Sequence, residues 1–326
     1  MAILLRHEDV VDILTMAEAI EAVRAGFREQ AAGQAQVPQR ITIDSTAGFG
    51  WLRVMPAVLN GSGVMGYKAM HSTPRVGVRY LVALYDLRSG ALLAEVDGDW
   101  LTQIRTSATA GVGTDLLARA DVEQVGLLGS SEQARALLRA MAAVRPFRRV
   151  RVFSPTPANR EAFAREMSAA LGLEVVAVDS PEAAVAGADL VGSAIRPGSE
   201  PALRAAWLTP GVHVNAISSV RPEARELDEA VWRQADVAAV DERDHAFDSG
   251  DGRAALASGS IRAEDAVELW QLVSGQHPGR QRPDQVTLLK TVGFALLDLV
   301  LADAIYRRAR ERGLGEELGD FPHARL

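Results

Sequence analysis

The chain has 326 residues and a formal net charge of −7, a length that suggests two domains at ~100–200 residues each and supports a sizeable core. Its 48% hydrophobic and 24% charged residues are those of an ordinary globular protein, and an acidic balance without a lysine- or arginine-rich block excludes a general nucleic-acid surface. No cysteine occurs, which excludes disulfides, cysteine-ligated zinc and a thiol nucleophile.

The opening run, MAILLRHEDV, meets charge at Arg6 to Asp9, too early for a signal peptide. No apolar stretch reaches the ~18 residues of a membrane span. A soluble, cytoplasmic protein with no membrane and no nucleic-acid partner is expected. Thr15 to Glu18 reads as a capping box, opening a helix that carries Ile20, Val23 and Phe27 on one face. From 37 to 96 the texture changes to short β runs at 40–44, 51–58 and 63–72, then a hairpin joined around Arg88-Ser89-Gly90. Strands without intervening helices predict a separate, mostly antiparallel module. A helix then begins near Leu101.

From 122 the order is strand, turn, helix, repeated. Val122 to Leu128 form a buried strand, Gly129-Ser130-Ser131 a tight turn, and Glu132 onward a helix with Ala134, Leu137, Leu138 and Met141 on one face. This geometry offers backbone N–H groups and a helix N-terminus to a pyrophosphate. Gly129-x-Ser131-x-x-Ala134 follows the dinucleotide spacing, a weak motif by itself. Strand 150–154 precedes a helix stopped by Gly172, and a later helix has Ser180 as N-cap and Pro181 at its first position. Strands at 189–195, 213–218 and 237–241 complete a pattern that predicts a parallel, doubly wound sheet.

The second strand of a dinucleotide fold usually ends in an acid when a ribose 2′-OH is bound. Here it ends FSPTPANR; Ser154, Thr156, Asn159 and Arg160 suit a 2′-phosphate better. Arg40, Arg53, Lys68 and Arg105 are isolated cations in apolar company, a pattern that usually marks ion pairing. Arg105, beside Thr102, Thr106 and Ser107, also suits a small carboxylate, and a lysine in an apolar strand can be of the proton-donating kind. The six histidines lack metal-ligand spacing, so no metal is expected. The run at 129–131 is not a nucleophile elbow, since G-x-S-x-G is absent.

Several segments together resemble the ornithine cyclodeaminase/mu-crystallin family. They are MPA (55–57), GYK (66–68), D-x-x-x-G-A-L-L-A (86–94), LTQIRTSA (101–108), GLLGSSEQA (126–134), PGVHVNAISSVRPEARELD (210–228) and TVGFALLDLVLADAIYRRARERGLG (291–315). The resemblance covers nearly the whole chain. It implies an α/β protein with a Rossmann-type doubly wound parallel sheet at 119–290. An N-terminal, mostly antiparallel β module (1–118, completed by the C-terminal helix within 291–326) would bind substrate and dimerise. Arg40, Lys68 and Arg105 match the positions that hold the substrate carboxylate, with Lys68 and Arg105 also expected to be catalytic. Gly129 and Ser130 match the pyrophosphate turn, and Ser131, Gln133, Ala194, Ile195 and Gly293 are also expected at the cofactor. Ile217, Ser218 and Ser219 would lie beside the nicotinamide.

Three departures shape the expected activity. Ser131 replaces the family's second glycine. The segment between Lys68 and the hairpin is shorter than in the cyclodeaminases. Val220 stands where those enzymes carry a proton-relaying aspartate, and members without that acid are similar to imine reductases and amino-acid dehydrogenases. The expectation is an NADPH-dependent reductase of a small carboxylated, cyclic imine, acting as a homodimer, with NADH as the alternative cofactor. An amino-acid dehydrogenase and a cofactor-binding protein with little turnover are the alternatives; ornithine cyclodeamination is not expected.

Overall fold

The computed structural model describes residues 2–73, 77–218, 220–319 and 321. In chain order it opens with β1 (Ala2–Leu5), α1 (His7–Val10), α2 (Met16–Ala31), β2 (Ala35–Gln36), β3 (Ile41–Asp44) and β4 (Trp51–Leu59). There follow β5 (Val64–Thr73), β6 (Gly77–Asp86), β7 (Leu92–Asp97) and α3 (Gly98–Leu117). The alternating part runs β8 (Gln124–Leu128), α4 (Glu132–Val144), β9 (Arg149–Phe153), α5 (Pro157–Leu171), β10 (Glu174–Ala177), α6 (Pro181–Val185) and β11 (Leu190–Ser193). Next come β12 (His213–Ala216), α7 (Glu229–Gln234), β13 (Val237–Val240), α8 (Arg243–Asp248) and α9 (Gly250–Ala257). The chain ends with β14 (Val267–Glu268), α10 (Leu269–Val273), β15 (Thr287–Lys290), α11 (Ala295–Arg312) and β16 (Glu316–Gly319). Among the described residues no helix is long and apolar enough to cross a membrane.

Two compact units emerge, Met1–Arg105 with Phe294–Leu326, and Thr106–Gly293. The first boundary lies inside α3, where the sequence places it after the helix at 118/119. The second falls at 293/294 rather than 290/291.

The first unit is built on a sheet ordered β16-β1-β7-β6-β5-β4-β2, with β3 on β4. Its pairs are antiparallel except β1 with β7. Thr15 caps α2 reciprocally, its hydroxyl accepting from the Glu18 amide at 3.2 Å while Glu18 accepts from the Thr15 amide at 2.7 Å. Helix α11 packs on α2 and on β4, β5 and β6, with the Phe27 and Phe294 rings 6.1 Å apart. Residues 295 to 302 are buried without a break, as a helix apolar on all sides requires. Asp298 is the single charged residue in that run, and a buried charge must be paired.

The second unit carries a wholly parallel sheet, β10-β9-β8-β11-β12-β15-β13-β14. Both faces are covered. Leu137, Leu138, Phe163 and Met167 of α4 and α5 pack with Leu127 and Val152 in one cluster. Ala184, Val231, Trp232 and Phe247 of α6 to α8 pack with Leu128, Val214 and Leu288 in another. Strand order reverses between β8 and β11, and ligands of open α/β sheets bind beyond the strand ends at such a point. Gly172 stops α5 in the left-handed conformation, and Ser180 caps α6 through the Ala183 amide.

Candidate active site

In the second unit, β8 ends at Leu128 and Gly129 follows with φ +113°, a backbone region that L side chains rarely adopt. A Cβ there would stand 2.1 Å from the Ala194 carbonyl oxygen, so only glycine lets the ends of β8 and β11 lie this close. Ser131 has an ordinary extended backbone (φ −79°) and caps α4, its hydroxyl accepting from the Ala134 amide. This explains the serine in place of a second glycine: the position needs a cap and no positive φ. The Ser130 hydroxyl donates to Ser154 Oγ at 2.8 Å, tying the turn to the end of β9.

A cavity of about 670 Å³ opens beside this turn, lined by Gly129, Ser130, Ser131, Ser154, Thr156, Asn159, Ala194 and Ile195 among others. Its size is that of a small-molecule site. A glycine cradle at the strand-order reversal, followed directly by a helix N-terminus, fits a dinucleotide's pyrophosphate. Arg196 and Arg204, which the sequence reading did not single out, also line the cavity.

Other expected cofactor residues stand elsewhere. Arg160 is buried against the Phe153 ring, donates to the Ser154 carbonyl at 3.1 Å and pairs with Asp179. It braces the turn after β9 and is not among the cavity's lining residues. Gln133 donates to Ser107 Oγ at 2.7 Å. Gly293 donates its amide to Asp241 at 2.7 Å. Ile217 belongs to the core cluster under α4 and α5. Ser218 accepts from the Ile195 amide at 2.8 Å and donates to the Ser193 carbonyl at 3.3 Å, joining the ends of β11 and β12. Ser219 lies outside the described residues. Beneath this junction Glu226 accepts from the Ser218 amide at 3.0 Å and from Lys290 at 2.9 Å.

In the first unit, β5 places Lys68 opposite Met55 of β4 and Val82 of β6, and the amine is buried. Lys68 Nζ lies 2.7 Å and Arg105 Nε 3.0 Å from Asp298 Oδ1 of α11. Two cations, 230 and 193 positions from Asp298 in sequence, thus share one of its oxygens. The Tyr80 ring centroid is 5.9 Å from Lys68 Nζ. Burial pushes the Lys68 ammonium down to about 8; Asp298 acts in the opposite direction, while Arg105 and Arg53 add to the fall. Arg40 precedes β3, one residue beyond the pair Ile41 and Val54, a register that puts it level with Met55 and, one strand further, Lys68. Asp298 is the residue the sequence reading missed. Its signal was present: one carboxylate in the apolar run 295–302 that opens α11, with Lys68 and Arg105 as cations in apolar company elsewhere in the sequence.

A family model for the ornithine cyclodeaminase/mu-crystallin family matches residues 2–313. Over 315 residues the chain is 30% identical to a Δ1-pyrroline-2-carboxylate reductase from Bacillus cereus, covering 94% of this chain and 96% of that one. Among solved structures, the Thermococcus litoralis Δ1-pyrroline-2-carboxylate reductase in complex with NADH and L-proline superposes with a TM-score of 0.92 at 32% identity, over 97% of this chain and 100% of that one. An archaeal alanine dehydrogenase dimer with bound NAD gives 0.91 at 28% identity, over 98% and 99%. A match of this extent, on a fold with the same antiparallel and parallel sheets that the sequence predicts, makes the chain a member of the ornithine cyclodeaminase/mu-crystallin family.

Proposed function

We propose that the chain is a nicotinamide-dependent reductase of a small carboxylated imine, with a cyclic Δ1-imine-2-carboxylate as the substrate type. The observation that carries the reading is the buried cluster of Lys68, Arg105 and Asp298. Two cations meet on one carboxylate oxygen where water is scarce, and a small monoanion entering there would find charged donors already in place. The relatives agree in kind: two are pyrroline-carboxylate reductases, one of them solved with L-proline.

When bound, the reduced cofactor supplies a hydride to the imine carbon. Arg105 offers a planar guanidinium to the substrate carboxylate, and Lys68 and Arg40 complete its cationic surroundings. Cations beside the C=N carbon raise its electrophilicity and hold it in a near-attack geometry. Lys68 can yield a proton to the imine nitrogen, because burial brings its acidity close to neutrality.

Gly129, Ser130 and Ser131 would hold the pyrophosphate, with Gln133 behind them. Ser154, Thr156 and Asn159 would receive a 2′-phosphate and Arg160 would brace their turn, so NADPH is the preferred cofactor over NADH. Ala194, Ile195, Ile217, Ser218, Ser219 and Gly293 are assigned to the nicotinamide half. The working form is a cytoplasmic homodimer joined through the sheet of the first unit; a chain without cysteine suits a reducing compartment.

The test is depletion of NADPH and NADH in the presence of five- and six-membered cyclic imino acids, and of 2-oxo acids with ammonia or methylamine. Turnover of a cyclic imino acid is expected. Turnover confined to a 2-oxo acid plus an amine would reassign the chain to amino-acid dehydrogenation, the activity named for the archaeal relative. Cofactor binding without turnover on any of them would make it a binding protein.

A further inference from the structure

The chain holds 35 lysine and arginine residues, and only two of them, Lys68 and Lys290, are lysines. Both are buried, and both rest on carboxylates. Arginine serves at every other cationic position. Arginine keeps its proton in any protein environment, whereas a buried lysine can release it. A chain that uses lysine so sparingly, and places one inside the candidate substrate site, has a compact amine there whose grip on its proton is set by its surroundings.

The groups facing Lys68 come from four elements. They are Asp298 of α11, Arg105 of α3, Arg53 of β4 and the Tyr80 ring of β6. Asp298 is the anion among these described groups. It has no accessible surface and lies in the first turn of α11, within an apolar run, where a buried carboxylate without a task would be replaced at little cost. Its Oδ1 takes both cations, and its buried Oδ2 has no hydrogen-bond partner.

We propose that Asp298 is a positioning residue for the reduction: it clamps the Lys68 ammonium beside Arg105 and keeps it proton-bearing until substrate is in place. This rests on the reductase reading of the same site. The geometry is specific, because one oxygen shared at 2.7 and 3.0 Å fixes the amine relative to the guanidinium. When the amine gives its proton to the imine nitrogen, the nitrogen gains one N–H bond, the carbon gains the hydride, and Lys68 is left neutral beside Asp298. Solvent then returns the proton.

Having only two lysines makes the test direct. Protein labelled with 13C at lysine Cε shows two lysine side-chain signals, and Lys68→Met assigns them. In Asp298→Asn, which keeps the shape and removes the charge, the Lys68 titration midpoint should fall by about one pH unit or more. Lys290 should titrate as before, and the alkaline limb of kcat/KM should move to lower pH with Lys68. An unmoved Lys68 midpoint in folded Asp298→Asn overturns the proposal. The spectroscopic readout needs no substrate. A wild-type protein that reduces no imine, with a Lys68 midpoint that still moves, would overturn the reductase reading while upholding the coupling of Asp298 to Lys68. If Asp298→Asn does not fold, Asp298→Glu keeps the charge and displaces it by one methylene. It should lower kcat about tenfold through misplacement, with the KM for cofactor and the alkaline limb unchanged. Wild-type kcat in that variant overturns the positioning role.

Discussion

Glu226 and Lys290 meet at 2.9 Å inside the second unit with neither side chain exposed, and Asp251 stands 3.2 Å from the same ammonium. Burial alone would push the Glu226 carboxyl up, but Lys290, Ser193 and the Ser218 amide outweigh it and hold the carboxyl below its ordinary range. Burial would likewise push Lys290 down, and its two carboxylates hold it above the ordinary lysine value. Asp251 also accepts from the Glu226 and Leu227 amides at 2.8 and 3.0 Å. The cluster therefore ties β15 to the segment that carries Ser218.

Removing the cation should be severe. Lys290→Met leaves two buried carboxylates facing each other, and losing one partner of such a cluster costs about 3–5 kcal/mol. Denaturant unfolding measures the loss. The pH dependence has a definite sign. Glu226, depressed in the folded protein, stabilises it above the ordinary carboxylate value of about 4.3, and that contribution is lost as pH falls through the folded value. Lys290, raised in the folded protein, stabilises it below about 10.4, and that contribution is lost only as pH rises through its folded value. In Glu226→Gln the loss of melting temperature on acidification below about pH 4 should be smaller than in wild type; an identical acid limb would remove Glu226 from the account.

Gly129→Ala tests the cradle. A Cβ 2.1 Å from the Ala194 carbonyl oxygen, on a backbone at φ +113°, must push β8 and β11 apart. Strain of that type is worth about 1–3 kcal/mol, and the displaced turn should weaken cofactor binding by about tenfold or more. Fluorescence titration with NADPH reads it. A variant with wild-type affinity and melting temperature would show that the turn is not the pyrophosphate site.

The parallel sheet and the hairpin were legible because alternation of apolar runs with capped helices is a local property. Ser180, Thr15 and Gly172 each mark a helix end by chemistry confined to a few residues. The pairing of Lys68 with Asp298 was not legible in that way, since it depends on α11 lying against β5, 230 positions away. The partners of Arg160 were not legible for a similar reason. Its type suits a phosphate, yet Asp179 after β10 and the Ser154 carbonyl hold it, and nothing near Arg160 in the sequence announces that strand neighbour. The Lys290 cluster also went unread, because Glu226, Asp251 and Lys290 come from three separate segments.

Cofactor choice should turn on Ser154. The residue after β9 is where an acid would accept a ribose 2′-OH and repel a 2′-phosphate. Wild type should bind NADPH more tightly than NADH, and Ser154→Asp should reverse the order. Equal affinities in wild type would remove the argument; titration of both cofactors decides it. Arg160→Ala should loosen the turn and weaken both cofactors, since Arg160 braces the Ser154 carbonyl.

The sheet of the first unit exposes Ile41, Ile43, Leu52 and Val78, with Phe49 74% exposed in the turn between β3 and β4. Ile43 and Leu52 are register partners, and β3 is an edge with apolar side chains that a monomer would leave uncovered. The occupant proposed is a second copy, as in the archaeal relative described as a dimer. Light scattering should give a dimer at micromolar concentration and a monomer for the double variant Ile43→Glu, Phe49→Glu. A stable wild-type monomer would contradict this.

Ornithine and lysine should not be cyclodeaminated. That reaction oxidises the α-amine, loses ammonia after the side-chain amine attacks, and then reduces the ring imine. It needs a group that takes and returns protons near the reacting carbon, and a partner for the cationic side-chain amine. Val220, which the resemblance sets at the position of the family's aspartate, packs on the apolar cluster of the second unit and can do neither. Its neighbours do not replace it. Ser218 spends its hydroxyl on the Ile195 amide and the Ser193 carbonyl, and the guanidinium of Arg221 has donors and no acceptor. Asp228 caps α7 through the Val231 amide and also accepts from the Ala205 amide, so its oxygens are engaged. Glu226 is held in the buried cluster with Lys290. A preformed imine escapes the requirement, because it arrives already activated and needs one hydride and at most one proton. Incubation with NAD(P)+ and ornithine or lysine should therefore release no ammonia and form no proline or pipecolate at rates near imine reduction. Val220→Asp should gain a trace of that activity, since it restores an acid at the one position where it is missing. Wild-type cyclodeamination as fast as imine reduction would sink the argument and require a different proton relay.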